Sequence, residues 1–401
     1  TIDVFYSDED KTDEYAAHYF YPHFKSDFNI DLLHANNYMC HFLAVRKSLV
    51  DTVGGLNEKF DGAQDYDFVI RLTEHTKKIY HCPRILYHWR CSNQSTAASQ
   101  GNKMYAIHAG KAALNAHYKR LGWNARAQEG AVDGWYQTKF TLKEEPLVSI
   151  LIPNKDHTDD LDVCLNSFFE RADYQNYEFI IIENNSVLPE TFAYYEKIEK
   201  EHDNVKVVYW EAGFNYSAIN NFGFKFAKGD YIMLLNNDVE LITPDIFQSM
   251  LGFCMRPEVG IVGAKLLYND HTVQHAGVLV GAGGLADHVF KGIHEDDPGY
   301  MGRAISSQDV SAVTAACLLV KRSVYEEVGG LEDVDFCLKV RKAGYLIVYD
   351  ADVKLFHYES KSRGMEDTTE RFIRFGNEMM LLNSKWDILS TFVDPYYNPN
   401  L

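Results

Sequence analysis

Three consecutive short polar residues, Asn236-Asn237-Asp238, close the apolar run YIMLL. A carboxylate beside amide oxygens at the carboxyl end of a strand stands where open α/β sheets bind ligands. Such oxygen donors suit a hard divalent cation, Mn2+ or Mg2+, that leaves positions free for phosphate oxygens. The plainer alternative is a polar turn after a strand. Two other apolar runs end in the same way. LVSIL leads into Pro153, Asn154 and Asp156, and YEFIII leads into Glu183, Asn184, Asn185 and Ser186. Further on, Asp333 and Asp335 precede an amphipathic segment, and His357 follows an apolar run. An acid at a helix start caps the helix and is favoured by its dipole. It can equally serve as a general base. His357 can ligate a metal or simply cap a strand.

The elements that must position these groups alternate. Buried strands at LVSILIPN, YEFIIIEN, VKVVYW and GDYIMLL are separated by helical patterns at 157–171 and in YSAINNFGFKFAKG, where Gly229 follows the helix. That order predicts a parallel sheet with Rossmann-like crossovers, and its polar strand ends would line one crevice. No G-x-G-x-x-G is present, so a dinucleotide fingerprint is absent.

An internal repeat of about 45 residues runs through the chain. FLAVRKSLVDTVGGL…DYDF…YHWR near the start parallels CLLVKRSVYEEVGGL…DVDF…FHYE after Cys317. Asp65 to His88 spans 23 positions, and Asp333 to His357 spans 24. A unit of this length is no solenoid module but half of one domain, present twice. Asp8 and Asp10, after IDVFYS, repeat the strand-end carboxylates.

The chain has 401 residues, a net charge of −18 and 46% apolar side chains. It is globular, and its charge opposes binding to nucleic acid or to an anionic membrane. No apolar run approaches the ~20 residues of a transmembrane helix. The seven scattered cysteines form no C-x-x-C pair and suit reduced thiols in a cytoplasmic protein.

The ordered set IPNKD, IIENNS, NNFGFKFAKGDYIMLLNND, GG…DVDFC and FHYESKSRG resembles a family 2 glycosyltransferase of the GT-A fold over residues 146–364. Residues 1–100 resemble the C-terminal half of another such domain. Residues 101–145 read as a helical and strand linker, and 365–401 as a C-terminal helix with an extended tail. The whole is similar to bacterial tandem-domain enzymes that build surface polysaccharides.

The resemblance implies an inverting, metal-dependent transfer from a nucleotide sugar, UDP- or dTDP-linked, to a hydroxyl of a glycan or lipid-linked glycan. It implies a cytoplasmic location, free or peripheral at the inner face of the membrane. Pro153, Asn154, Asp156, Glu183, Asn184, Asn221, Asn236 and Asn237 match donor-binding positions. Asp238 and His357 match metal ligands, and Asp333 matches the base. Asn236 replaces the first acid of the usual D-x-D. That departure supports a rival reading, a non-catalytic carbohydrate-binding or scaffold protein with a degenerate GT-A fold. Asp8, Asp10, Asp65 and His88 would be the metal and base positions of the first domain.

Two expectations concern the chain itself. Thr1 is not a natural start, and the natural polypeptide is expected to extend upstream and complete a second transferase domain. The acid follows the Leu of V-G-G-L by nine positions in the first repeat, Leu56 to Asp65, but by two in the second, Leu331 to Asp333. A gap in the backbone is therefore expected at Glu332–Asp333 or at the junction before it.

Overall fold

The structure, a computed structural model, describes residues 1–91, 100–281, 285–332, 335–358, 380, 382–390 and 392–401. The Glu332–Asp333 junction and Asp333 itself lie outside the described residues. The chain forms two compact units, each drawn from separate stretches of sequence.

The first unit comprises Thr1–Thr141, Tyr300–Asp309 and Asp394–Leu401. Its central strand β1 (Val4–Thr12) runs parallel to β4 (Ile79–Arg90). On its other edge β1 pairs antiparallel with β2 (Tyr19–His23) and β3 (Leu43–Val45). Around this sheet lie α1 (Ile30–Ala35), α2 (Lys47–Val53) and α3 (Gln64–His75). Of the 101–145 region, expected as a linker, residues 101–141 cluster with this unit as α4 (Gln100–Leu121) and the hairpin of β5 (Ala125–Glu129) and β6 (Tyr136–Phe140). The reason is apolar: Ile107, Leu114, Tyr118 and Tyr136 share one core with Tyr6, Leu33 and Ile70. The later segment brings the short strand β16 (Gln308–Asp309), where Asp309 exchanges backbone bonds of 2.8 and 2.9 Å with the Asn29 amide.

The second unit comprises Leu142–Gly299 and Val310–Val393. Its first half alternates β7 (Val148–Asn154), α5 (Thr158–Arg171), β8 (Tyr177–Asn184), α6 (Pro189–Glu201), β9 (Val205–Trp210), α7 (Tyr216–Phe224) and β10 (Tyr231–Leu235). The second half adds β11 (Val239–Leu241), α8 (Ile246–Cys254), β12 (Val259–Leu267), β13 (Val273–His275), β14 (Val278–Val280) and β15 (Ala286–His288). It ends with β17 (Cys317–Lys321), α9 (Arg322–Glu327), α10 (Asp335–Lys342) and β18 (Leu346–His357).

The strands lie in the order β11-β18-β12-β17-β10-β7-β8-β9. β10, β7, β8 and β9 are mutually parallel, as their alternation with helices requires. β17 is antiparallel to both β10 and β12, so the sheet is mixed. Strands covered on both faces carry unbroken apolar runs, and Ile232 to Leu235 are accordingly buried. No helix among the described residues is long and apolar enough to cross a membrane.

Candidate active site

The carboxyl end of β10 is where the chemistry gathers. Asn236 leaves the strand with its amide bonded to Ala316 O at 3.0 Å. The chain turns and re-enters the sheet as β11, in register Val239↔His357 with β18. That register delivers His357 to Asp238. The imidazole Nε2 lies 3.2 Å from Asp238 Oδ1, and both residues are buried. Asn236 Nδ2 lies 3.2 Å from the same Nε2. From β13, Gln274 Oε1 accepts the Nδ1–H of His357 at 2.6 Å.

This hydrogen bond sets the tautomer. With the proton on Nδ1, a neutral ring turns the Nε2 lone pair towards a carboxylate oxygen. The Asn236 amide also meets that Nε2, and a cation taken between Nε2 and Oδ1 would displace it and relieve the repulsion of the two lone pairs. An amide oxygen fixing the far nitrogen of a ligating histidine is the usual outer shell of a metal site. Asp238 Oδ1 and His357 Nε2 therefore fit a divalent cation that takes its other ligands from a bound molecule. Behind them, burial drives the His275 imidazole well below the ordinary histidine range, with His288 and His357 adding to the effect. Its Nδ1 lies 3.2 Å from His288 Nδ1.

The ends of β7 and β8 carry a second group. Asn237 Nδ2 donates to Asn154 Oδ1 at 2.7 Å, and Asn154 Nδ2 donates to the Tyr195 hydroxyl at 2.8 Å. The Tyr195 hydroxyl donates to Glu183 Oε2 at 2.9 Å. Glu183 also accepts from the amide and hydroxyl of Ser186, each at 2.5 Å. Asn154, Glu183 and Asn237 are thus joined along one edge through Tyr195, with Pro153 beside Asn154 on β7 and Asp238 following Asn237 in the chain. Asn184 is buried, with Asn185 Nδ2 3.4 Å from its Oδ1. Asp156 accepts from the Val187 and Leu188 amides at 2.9 and 3.0 Å. Burial alone would raise its carboxyl, but these amides and the Thr191 hydroxyl hold it below the ordinary range. Tyr195 escaped sequence reasoning, because a tyrosine in an amphipathic helix reads as core.

Beside Asn236 opens a cleft of about 460 Å³, lined by Phe214, Tyr216, His288, Thr314, Phe336 and Cys337 among others. The Tyr216 hydroxyl reaches Ala315 O at 3.2 Å. Asn221 does not line this cleft. Its side chain bonds both backbone groups of Leu331, at 3.0 and 2.9 Å, and accepts from the Tyr325 hydroxyl at 2.6 Å. It clamps the V-G-G-L turn onto α7. Gly330 in that turn has φ +85°, and a Cβ there would stand 2.5 Å from Asn221 Oδ1. Arg363, in the FHYESKSRG run, also lies outside the described residues.

In the first unit the repeat has assembled a related group. Asp10 Oδ1 accepts from His88 Nδ1 at 2.5 Å, and Asp65 Oδ2 accepts from Asn37 Nδ2 at 3.0 Å. Asp10 and Asp65 line one cleft of about 680 Å³ with Tyr21, Tyr66, Trp89 and Trp135. Asp8 does not join them. It is fully buried and accepts from His81 Nε2 at 2.8 Å, from the Lys25 amide at 2.9 Å, and from Asn398 Nδ2 at 2.9 and 3.1 Å. The register of β1 on β4 shifts on both sides of Asp8, and such a bulge re-aims a side chain.

The sequence profile of Glycosyl transferase family 2 matches residues 149–329. The chain is 41% identical over 413 residues to uncharacterized protein y4gI of Sinorhizobium fredii, covering 99% of this chain and 45% of that protein. It is 36% identical over 409 residues to O-antigen biosynthesis protein RfbC of Myxococcus xanthus, covering 99% and 31%. The chain thus spans less than half the length of these curated relatives. A solved mannosyltransferase, PcManGT from Pyrobaculum calidifontis in complex with GDP-Man and Mn2+, superimposes with a TM-score of 0.46 at 14% identity, covering 64% of this chain and 68% of that one.

Proposed function

Residues 149–329 of this chain are a glycosyl transferase family 2 domain, and from that premise we propose an inverting, divalent-metal-dependent sugar transfer in the second unit. The donor is a nucleotide sugar, UDP- or dTDP-linked, and the acceptor is a hydroxyl of a growing glycan or lipid-linked glycan. The observation that carries the reading is the Asp238–His357 pair at 3.2 Å, its imidazole fixed through Gln274. The likeness to an O-antigen biosynthesis protein supports the polysaccharide class of acceptor.

In this mechanism Asp238 and His357 would hold Mn2+ or Mg2+ in place of the Asn236 Nδ2 contact to Nε2, leaving that amide to meet the bound donor. When bound, the cation neutralises the charge that develops on the departing nucleotide diphosphate. Pro153, Asn154, Glu183, Asn184 and Asn237 form the donor-binding edge, and Asp156 shapes it by capping the 187–191 turn. Asp333 takes the proton of the attacking hydroxyl. Asn221 acts at one remove, by holding the turn that leads to Asp333. Asp10, Asp65 and His88 are the corresponding positions of a second site in the first unit, with Asp8 serving its structure. The protein works in the cytoplasm, free or at the inner face of the membrane.

The test is transfer or hydrolysis of nucleotide sugars by the purified chain with Mn2+, with excess chelator, and as Asp238→Ala. Turnover should require the metal and disappear in the variant. Full turnover in chelator would remove the metal from the mechanism. The amide at position 236, where a carboxylate is usual, favours the rival of a non-catalytic carbohydrate-binding module. Such a module would bind saccharide and leave every nucleotide sugar intact.

A further inference from the structure

The two copies of the repeat treat one acid differently. In the first, Asp67 at the start of α3 is bonded from within the unit through one oxygen, Oδ2. Arg71, one turn along, donates to it at 2.8 Å and reaches the carbonyls of Val53 at 2.6 Å and Gly55 at 2.7 Å. One guanidinium thus ties the helix start to the V-G-G-L turn. In the second copy the matching acid is Asp335, and the residue one turn along is Lys339. Its single ammonium stands 3.6 Å from Asp335 and is spent on Glu332 at 2.7 Å. A lysine cannot fork as an arginine does.

The missing bonds come from the C-terminal segment. Lys385 Nζ donates to Asp335 Oδ2 at 2.8 Å and to Glu332 Oε2 at 3.0 Å, and Trp386 Nε1 donates to Asp335 Oδ1. The segment is anchored by Leu382 and Ile388, buried in the same core as Phe336 and Cys337. Lys342 Nζ lies over the Trp386 ring, 5.5 Å from its centre. Glu332 and Asp335 flank Asp333 in sequence, so Lys385 grips both sides of the acid assigned as the base. Hydrogen bonds from Lys339 and Lys385 hold the Glu332 carboxyl down to about 2.

We propose that Lys385 and Trp386 are positioning residues for the transfer reaction: they hold the two ends of the segment that carries Asp333. The inference rests on the transferase reading above. General base catalysis depends on the acid meeting the acceptor hydroxyl within hydrogen-bond reach. Glu332 and Asp335, two carboxylates that share the Lys385 ammonium, would repel each other without a cation fixed between them. The donor-binding edge at β7 and β8 makes no use of this clamp, so turnover and donor binding should respond separately.

The experiment uses the full chain as Lys385→Met, Lys385→Arg and Trp386→Phe. It measures kcat, the KM for the nucleotide sugar, the Kd for the nucleotide diphosphate with Mn2+, and Tm. Lys385→Met should lose about tenfold to a hundredfold in kcat, the size expected of a catalytic group displaced by about 1 Å. The diphosphate Kd should stay within about twofold of the parent. Lys385→Arg should recover most of the rate, and Trp386→Phe, which keeps the ring and removes the donor, should fall between. An active parent with Lys385→Met and Trp386→Phe at full kcat overturns this inference alone. So does a loss in which kcat, Kd and Tm fall together with no rescue by arginine. An inactive parent overturns the transferase reading and takes this inference with it.

Discussion

Gln274→Leu isolates the role of the outer shell. The substitution removes the oxygen that accepts the His357 Nδ1–H at 2.6 Å while keeping a side chain of similar reach on β13. Two consequences follow. The imidazole proton becomes free to sit on Nε2, the nitrogen that faces Asp238 Oδ1 at 3.2 Å, and a protonated nitrogen cannot ligate. Where the proton stays on Nδ1 instead, a buried N–H is left without its acceptor, at a cost of about 1–3 kcal/mol in stability. Outer-shell losses of this kind lower metal affinity by about 10- to 100-fold, or about 1.4–2.8 kcal/mol. The assay is a calorimetric titration of Mn2+ into protein saturated with UDP, with Tm followed in parallel. Gln274→Glu is the companion, because a carboxylate at that position holds the proton on Nδ1 more firmly and should match or tighten the Mn2+ affinity. If Gln274→Leu folds and binds Mn2+ as the parent does, the pair is not a metal site held through Gln274, and the reasoning fails.

Three further outcomes are expected. Asp333→Asn should lower kcat by about 10²–10⁴-fold, the usual share of a general base, with little change in nucleotide diphosphate Kd; near-normal turnover would reassign the base. Asn221→Ala deletes three hydrogen bonds to Leu331 and Tyr325, and should destabilise the second unit by about 1–3 kcal/mol in urea unfolding; an unchanged midpoint would show that the V-G-G-L turn does not depend on the clamp. For Glu9, burial would raise the carboxyl, but hydrogen bonds from His23 and His41 and the nearby Lys25 ammonium bring it down to about 2 from an ordinary 4.5. A depressed carboxyl contributes stability that is complete above the unfolded value and is lost as pH falls towards the folded one. The first unit should therefore lose up to about 3 kcal/mol between pH 4.5 and about 2, and Glu9→Gln should flatten that slope in urea unfolding followed across the range.

Much of the second unit was legible in its sequence, because strand runs alternating with helical patterns leave few arrangements for β7 to β10. The strand-end residues Asn154, Glu183 and Asn237 do come together, since parallel strands present their carboxyl ends on one side. The partnership of Asp238 with His357 was legible only through resemblance. It depends on β18 crossing back to lie between β11 and β12, which no local period records. Asn221 shows the limit of motif reading. An Asn-x-Gly pattern marks the residue but not whether its amide meets a ligand or a neighbouring turn. Asp8 and Asp10 look equivalent as a D-x-D, and only a change of register on β4 separates them. Lys385 and Trp386 carry no signal of their own, because their partners lie 50 and 51 positions away.

The way the first unit is stitched has a consequence in time. It is built from 1–141, 300–309 and 394–401, and the Asn398 amide that closes on Asp8 lies 390 positions downstream of it. At about 5–20 residues per second on the ribosome, Asp8 waits roughly 20–80 seconds for that partner. Every residue of the second unit, 142–299 and 310–393, is made before residue 394. Until Asn398 is made, the fully buried Asp8 carboxylate has the His81 and Lys25 donors but not the Asn398 amide.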